Sequence, residues 1–529
     1  MKEKKTRRWL SLLLTVVMVL SLLPAAVVPA AAANETDDFY KIVHLDCGRK
    51  YFSPEWVKAL IQEIKADGYT HLELAFGNDG LRFLLDDMSV TVGTTEYKSD
   101  DVKAAIQAGN KNYYNAGEKN EWTEAEMDDI LAYAREVGIE IIPLLNTPGH
   151  MDAIVSALKT LRVSDASYNG SKRTIDLENS TAVSFTQNLV KKYAEYFKKN
   201  GCTIFNMGCD EYANDIYTTG SMGFGNLVST GGYGKFVAYV NELAAVVKKA
   251  GMTPMAFNDG FYFNGNTTSG TFDTDIMISF WTSGWSGYQS ESAEKLEARG
   301  HKMINTHGEY YYVLKNENGK YLIQNPSDTQ ISKFSNESFM GDSTIPAPAG
   351  SMFCIWCDVP GLATEQEIAE SVRMTMRKMS ARMDGKDIST VSTDVVTNGF
   401  NADGSINNSI SGGNPGGNTG DKGDVQTEDR TINVVAGKTV TDKIDGYNYA
   451  GTYPTKDTSI ATVNVTGSTT EATKGYDEVT SANFDSSKKY LILSDNAKTL
   501  LNTNDTDSVV AGAGTGTGLK LSGGLSADS

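Results

Sequence analysis

Cysteine is scarce. The 529 residues hold five, at 47, 202, 209, 354 and 357. An odd, small number in a chain of this length excludes a disulfide framework. Cys354 and Cys357 have C-x-x-C spacing, but they stand in an apolar, strand-like run and not at a helix start, where a reactive thiolate is favoured. There is no second C-x-x-C and no paired histidine spacing, so no metal site is expected. The five thiols read as small buried hydrophobes. Positive charge is short as well. Lys and Arg number 48 against 66 Asp and Glu, a net of −18, and residues 1–33 alone are +4, which leaves −22 on the remainder. That balance argues against nucleic acid and anionic membranes as partners. Also missing is a glycine-rich phosphate loop after the first apolar run, where "HLDCGRKYF" stands. A doubly wound nucleotide-binding sheet, the runner-up architecture, would want one. No cofactor is expected. Apolar residues make up 40%, enough for a large core.

One long apolar run is present, and it is an address. "LSLLLTVVMVLSLL" (10–23) follows basic "MKEKKTRRWL" and precedes a small-residue cleavage site, Ala31-x-Ala33. This pattern predicts a signal peptide over 1–33 and a secreted or cell-surface bacterial protein. The alternative is a membrane anchor, but the run is short for a span and ends at Pro24. No membrane insertion is expected once the signal is removed.

From residue 40 to 385, β-rich apolar runs alternate with amphipathic stretches. Eight strands are predicted: "KIVHL" (41–45), "HLELAF" (71–76), "IEIIPLL" (139–145), "TIFNMG" (203–208), "PMAFN" (254–258), "IMISFW" (276–281), "KMINT" (302–306) and "SMFCIW" (351–356). Helices lie between most of them. In "SPEWVKALIQEIKADG", Ser53 caps, Pro54 suits the first turn, and Trp56, Leu60 and Ile64 share a face. Eight strand–helix units predict a (β/α)8 TIM barrel, α/β in class, with function at the C-terminal strand ends. Those ends carry Asp46 and Arg49, Asn78-Asp79, Asn146 and His150, Asp210-Glu211, Asn258-Asp259, Trp281, Tyr310–Tyr312, and Trp356 with Asp358. Carboxylates, one Arg, one His and several aromatics suit a sugar, which offers apolar C–H faces and a hydroxyl rim.

The barrel domain is expected over 34–390. Residues 391–428 read as a flexible Gly/Asn/Ser linker, 429–468 as a small all-β, Ig-like module, and 469–529 as an incomplete β-rich tail. The tail could serve as a spacer, a carbohydrate-binding module or a cell-wall attachment, with spacer the bland choice.

"IPLLNTPGHMDAI", "FNMGCDEYAND", "ISFWTSGW" and "CIWCDVPG" together resemble the family 20 glycoside hydrolases, in particular bacterial cell-surface β-N-acetylhexosaminidases. The resemblance covers roughly residues 40–385. It implies substrate-assisted chemistry. Most retaining glycosidases use a second carboxylate as nucleophile, whereas in this family the substrate's own 2-acetamido oxygen attacks and forms an oxazolinium ion. Glu211 is then the acid that protonates the leaving oxygen and afterwards the base on water. Asp210 takes the acetamido N–H and orients it. The adjacent negative charge is expected to raise the pKa of Glu211. A solvated acidic loop is the bland alternative for this pair.

The resemblance carries further positions with it. Arg49 would bind sugar hydroxyls, and His150 would support the acid from behind. Trp281 and Trp356 would wall the acetamido methyl, and Asp358 would take outer hydroxyls. Tyr311 best matches the tyrosine on the acetamido oxygen, with Tyr310 and Tyr312 adjoining it. Trp285 would line an outer subsite. Many members place Asp-Asp after the second strand; "FGNDGLRF" offers Asp79 as a shifted counterpart. Many have a Trp near "FNDG" (257–260), where this chain has none, and a preceding α/β domain, for which there is no room between signal and barrel. The implied partner is a glycan bearing N-acetylhexosamine. The implied activity is removal of terminal β-linked GlcNAc or GalNAc. A lacto-N-biosidase releasing Gal–GlcNAc and a non-catalytic glycan-binding adhesin are the alternatives.

Overall fold

The computed structural model describes residues 39–113, 120–218, 221–284, 289–392 and 398–407, with short strand segments between 430 and 522. Eight strands run parallel: β1 Tyr40–Leu45, β2 His71–Asn78, β3 Glu140–Thr147, β4 Ile204–Gly208, β5 Thr253–Phe257, β6 Met277–Phe280, β7 Met303–Asn305 and β8 Gly350–Trp356. Neighbours pair in chain order, and β8 closes back on β1 with Ile42 opposite Met352 and His44 opposite Cys354. The architecture is a (β/α)8 barrel. All eight strands fall where the sequence places them.

Local chemistry sets the outer helices. In α1, Pro54–Ala66, the Ser53 side chain accepts from Trp56 N, and the buried face carries Trp56, Leu60 and Ile64. Helix α2, Glu124–Val137, opens with a reciprocal Thr123–Glu126 capping box and ends at Gly138 with φ 79°. Glycine takes that left-handed conformation at no steric cost. Helices α3, Asp152–Thr160, α4, Ser180–Lys199, α5, Tyr233–Lys249, and α6, Glu365–Met383, complete the frame used below. Among the described residues no helix is long and apolar enough to cross a membrane.

The barrel interior explains where the site comes from. Ile42, Ile142, Ile204, Met255, Met277, Ile304, Met352 and Cys354 form one buried cluster, drawn from seven of the eight strands. Each such side chain contributes roughly 1.5–3 kcal/mol when removed from water. β2 supplies Glu73 instead. Its carboxylate meets His44 Nδ1 at 2.6 Å and accepts from Asn206 Nδ2 at 2.8 Å, with all three residues fully buried. A buried charge persists only when it is paired in this way. Strand side chains alternate, so every second residue from an interior position also points inward. Counting on in twos, Ile42 leads to Asp46, Ile142 to Asn146, Met255 to Asp259, Met277 to Trp281, and Met352 to Trp356. These residues ring the C-terminal mouth.

The stretch expected to be linker contains a packed segment. Phe400 is fully buried, its ring 5.3 Å from that of Trp56. Glu63 Oε2 accepts from Gly399 N at 3.0 Å and from Phe400 N at 3.3 Å. The described residues from 39 to Asn407 belong to one compact unit, so the boundary lies past the expected 390. The polar composition concealed this because one aromatic anchor and two backbone donors suffice to dock the segment. Linker residues 393–397 and 408–429 lie outside the described residues. Beyond them, backbone strands from Arg430–Ile432 to Leu519–Ser522 pair antiparallel in one sheet. Lys443–Tyr449 pairs with Tyr490–Leu493, across the boundary expected at 468. The loops of the expected Ig-like module lie outside the described residues.

Candidate active site

Asp210 and Glu211 follow β4 directly. Gly208, Cys209 and Glu211 have φ of 71°, 70° and 47°, so the chain turns sharply there. For Cys209 and Glu211 this left-handed backbone costs of order 1–3 kcal/mol each, a strain typical of functional turns. The turn lets adjacent side chains converge. Nε2 of His150 lies 3.1 Å from Glu211 Oε2 and 3.6 Å from Asp210 Oδ2. The Pro-Gly-His turn must come close for this. A side chain at Gly149 would stand 2.9 Å from the Asp210 carbonyl oxygen.

A second set of contacts lies behind His150. Its Nδ1 is 2.7 Å from Asp79 Oδ1, and Arg49 Nε donates to Asp79 Oδ2 at 2.7 Å. Arg49 Nη1 donates to Asp46 Oδ2 at 3.0 Å and to Asp358 Oδ1 at 3.2 Å. Arg49, Asp79 and His150 are buried, while the Asp358 side chain is 47% exposed at the rim. Burial works against charge on both Asp79 and His150, and their mutual attraction outweighs it. Arg49 and His150 hold the Asp79 carboxyl well below its ordinary value; Asp79 and Asp210 hold the His150 imidazole well above its own. That shift favours the doubly protonated ring, in which His150 would donate from both nitrogens, one toward Asp79 and one toward Glu211.

Asp210 differs from its neighbour. Burial pushes its carboxyl up, His150 pulls it down, and Glu211 pushes it further up. Asn146 Nδ2 donates to Asp210 Oδ1 at 2.7 Å. Two aromatics stand over this floor. Trp281 and Trp356 pack against Ala75, Leu144 and Phe257, and the Trp356 ring lies 6.1 Å from those of Tyr311 and Phe257.

A family model for the glycosyl hydrolase family 20 catalytic domain matches residues 39–345. The chain belongs to glycosyl hydrolase family 20. It is a glycoside hydrolase of β-hexosaminidase-like architecture. The catalytic modules of the pneumococcal exo-β-D-N-acetylglucosaminidase StrH are similar in structure, with 37% identity and a TM-score of 0.60 over 65% of this chain and 83% of that one. A lacto-N-biosidase of Bifidobacterium bifidum is 22% identical over 274 residues, 49% of this chain. That match spans only 23% of the biosidase's length.

Within this family 20 barrel the sequence-derived positions come together with one exception. Asp210, Glu211, His150, Asp79, Arg49 and Asp358 form a continuous set of contacts, and Trp281, Trp356 and Tyr311 line the same mouth. Trp285 falls in 285–288, outside the described residues. Of the three tyrosines, Tyr311 belongs to the interior cluster, and its hydroxyl donates to Thr306 O at 2.8 Å. Tyr310 packs its ring 5.1 Å from Phe334, and Tyr312 joins the outer core. Asp79 meets His150 despite its shifted place, because its own backbone is left-handed (φ 59°). Phe257 packs against both tryptophans within "FNDG" (257–260), the stretch that has no Trp of its own. The five cysteines are all buried and unbridged, and burial raises their thiols, so they read as packing residues.

Two strand-end residues to which the sequence gives no role, Asn146 and Asp259, belong to the site. Asp259 Oδ2 accepts from Glu211 N at 2.9 Å, and its Oδ1 lies 3.3 Å from Trp281 Nε1. Burial and then Asp210 push the Asp259 carboxyl well above its ordinary value. Asp259 thus links the acid loop to the aromatic wall, as Asn146 fixes Asp210. The two-residue count from Met255 and Ile142 places both on the inward face, but their roles depend on partners from other strands.

Proposed function

We propose that this chain is a secreted, retaining β-N-acetylhexosaminidase that removes terminal β-linked N-acetylhexosamine from glycans through an oxazolinium intermediate. The observation that carries this reading is the division of labour between two neighbouring carboxylates. Asp210 is buried and held by Asn146. Glu211 is half-buried and meets a histidine charged through Asp79. A desolvated carboxylate gains from any N–H delivered to it, and the acetamido group delivers one. Asp210 therefore orients the acetamide and offsets the charge growing on its nitrogen. The acetamido oxygen closes on the anomeric carbon while Glu211 protonates the departing oxygen. Trp281 and Trp356 take the methyl, and the Tyr311 hydroxyl, held by Thr306 O in the free enzyme, turns to the acetamido oxygen. Arg49 and Asp358 face the outer hydroxyls. Kinship with a β-N-acetylglucosaminidase favours GlcNAc as the sugar released. The basic, apolar N-terminus supports export, and the region after 407 could hold the enzyme at the cell wall.

A second reading rests on the lacto-N-biosidase relative: release of a Gal–GlcNAc disaccharide by the same floor under a pocket open by one sugar. Parallel hydrolysis by the full chain of aryl β-N-acetylglucosaminide and aryl β-lacto-N-bioside separates the two. Cleavage of the first alone is expected. Cleavage of the second alone would establish the biosidase. Tight binding of both with no cleavage would favour an adhesin.

A further inference from the structure

Asn214 stands three residues after Glu211 and has no part in the chemistry described so far. Its Nδ2 donates to Glu211 Oε2 at 2.6 Å, and its Oδ1 accepts from Arg173 Nη1 at 3.4 Å. The amide has one sensible orientation. Arginine carries donors only, so the amide oxygen must face it, and the amide nitrogen then faces the carboxylate. The surrounding loop is pinned. Ser171 Oγ and Lys172 N donate to the two oxygens of Asp215 at 2.7 and 2.8 Å, and Ala213 N donates to Thr174 Oγ1 at 3.0 Å. A segment between α3 and α4 thus fixes the position of Asn214.

With its ring doubly protonated, as the Asp79 contact favours, His150 is a second donor to Glu211 Oε2. His150 Nε2 lies 3.1 Å from the same oxygen. An oxygen that accepts two N–H hydrogen bonds has no lone pair directed to hold a proton as well. The proton of the acid form belongs on the other oxygen. We propose that Asn214 is a positioning residue for proton delivery: together with His150 it occupies Oε2 of Glu211 and so assigns the transferable proton to Oε1. The inference deepens the reading of Glu211 as general acid and rests on it. In the bond-breaking step the Oε1 proton passes to the glycosidic oxygen. The C–O bonding pair leaves with that oxygen, and a lone pair of the acetamido oxygen forms the new bond at the anomeric carbon. The negative charge left on Glu211 is met by the two donors already on Oε2. In the second step water returns a proton to Oε1 as its oxygen displaces the acetamide.

The test compares kcat/KM of the full-length wild type, Asn214→Ala and Asn214→Asp on two β-N-acetylglucosaminides. One carries 4-nitrophenol, which leaves with little protonation; the other carries methanol, which must be protonated. Loss of proton delivery falls on the second substrate. Asn214→Ala is expected to lose about tenfold more on the methyl glycoside than on the nitrophenyl one, a fraction of what general acid catalysis supplies. Asn214→Asp, of the same size but without a donor when ionised, is expected to show the same imbalance, and it decides the matter if the alanine variant does not fold. Equal losses on both substrates, or none, in variants with the wild-type melting temperature would overturn this inference alone. A wild type that cleaves neither glycoside would overturn the reading of the site, and this inference with it.

Discussion

His150 Nδ1 lies 2.7 Å from Asp79 Oδ1, and this contact joins the end of β2 to the turn after β3. Through it a charge on one strand end sets the protonation of a group on the next. Asp79 is itself held by Arg49 from β1, so three consecutive strand ends act as one electrostatic unit beneath the carboxylate pair.

Replacing Asp79 by Asn should release that unit. The His150 imidazolium loses its counter-charge, and its titration should move down toward the ordinary histidine range. A hydrogen bond between charged groups is worth about 1.5–3 kcal/mol, so kcat/KM at neutral pH should fall roughly ten- to hundredfold. Imidazole 15N shifts followed against pH check the first point. A His150 titration unchanged in Asp79→Asn would remove Asp79 from the mechanism.

Glu211→Gln should lower kcat by about 10²- to 10⁴-fold, the usual share of general acid–base catalysis. Asp210→Asn should also lower it, through loss of acetamide orientation. With the wild type, proton NMR during the first turnovers should show the β-anomer of the released sugar. An initial α-anomer would rule out the oxazolinium route.

Asp152, at the start of α3, gives a pH prediction. Burial and then the Asp79 charge push its carboxyl up to about 7. The folded chain therefore holds this proton more tightly than the unfolded chain, whose aspartate titrates near ~4. The stability this adds is full below ~4 and is lost as pH rises through about 7. Asn at 152 imitates the protonated form. The melting temperature of the wild type should therefore fall relative to Asp152→Asn between pH 5 and pH 8, on the order of that interval. A constant difference across the range would refute the shift.

Phe400→Ala tests the domain boundary. Truncating a fully buried phenylalanine costs about 3–5 kcal/mol, and here the barrel should lose it. Urea unfolding of the barrel followed by tryptophan fluorescence would report it. A change within about 0.5 kcal/mol would mean that residues 398–407 add nothing to the barrel.

Much of the site is legible in the sequence. The strands showed themselves as short apolar runs, and a barrel puts function at their C-terminal ends, so Asp46, His150, Asp210 and Trp356 could be read off in order. Asp79 was less secure, because a left-handed residue breaks the two-residue count and hides which way the side chain turns. Tyr311 could not be told from Tyr310 and Tyr312, since three identical neighbours carry no phase until the strand pairing supplies one. Asp259 was visible in the phase of β5 but had no partner until Glu211 N was placed beside it.

What the sequence determined by itself is therefore periodic and local: eight strands, their capped helices, the mouth of the barrel, and the family motif with its adjacent carboxylates. These depend on side chains one or two turns apart, whose spacing is written in the chain. What only the tertiary structure decided is which oxygen meets which donor. Residues 309 positions apart, such as Arg49 and Asp358, meet only once β8 has closed on β1. Tertiary packing likewise lets burial raise Asp210 and lets Asp79 charge His150, because both effects depend on water being excluded and on distances of about 3 Å. The docking of Phe400 on Trp56 belongs to this second kind: a single ring in a polar stretch gains its meaning from the cavity that receives it.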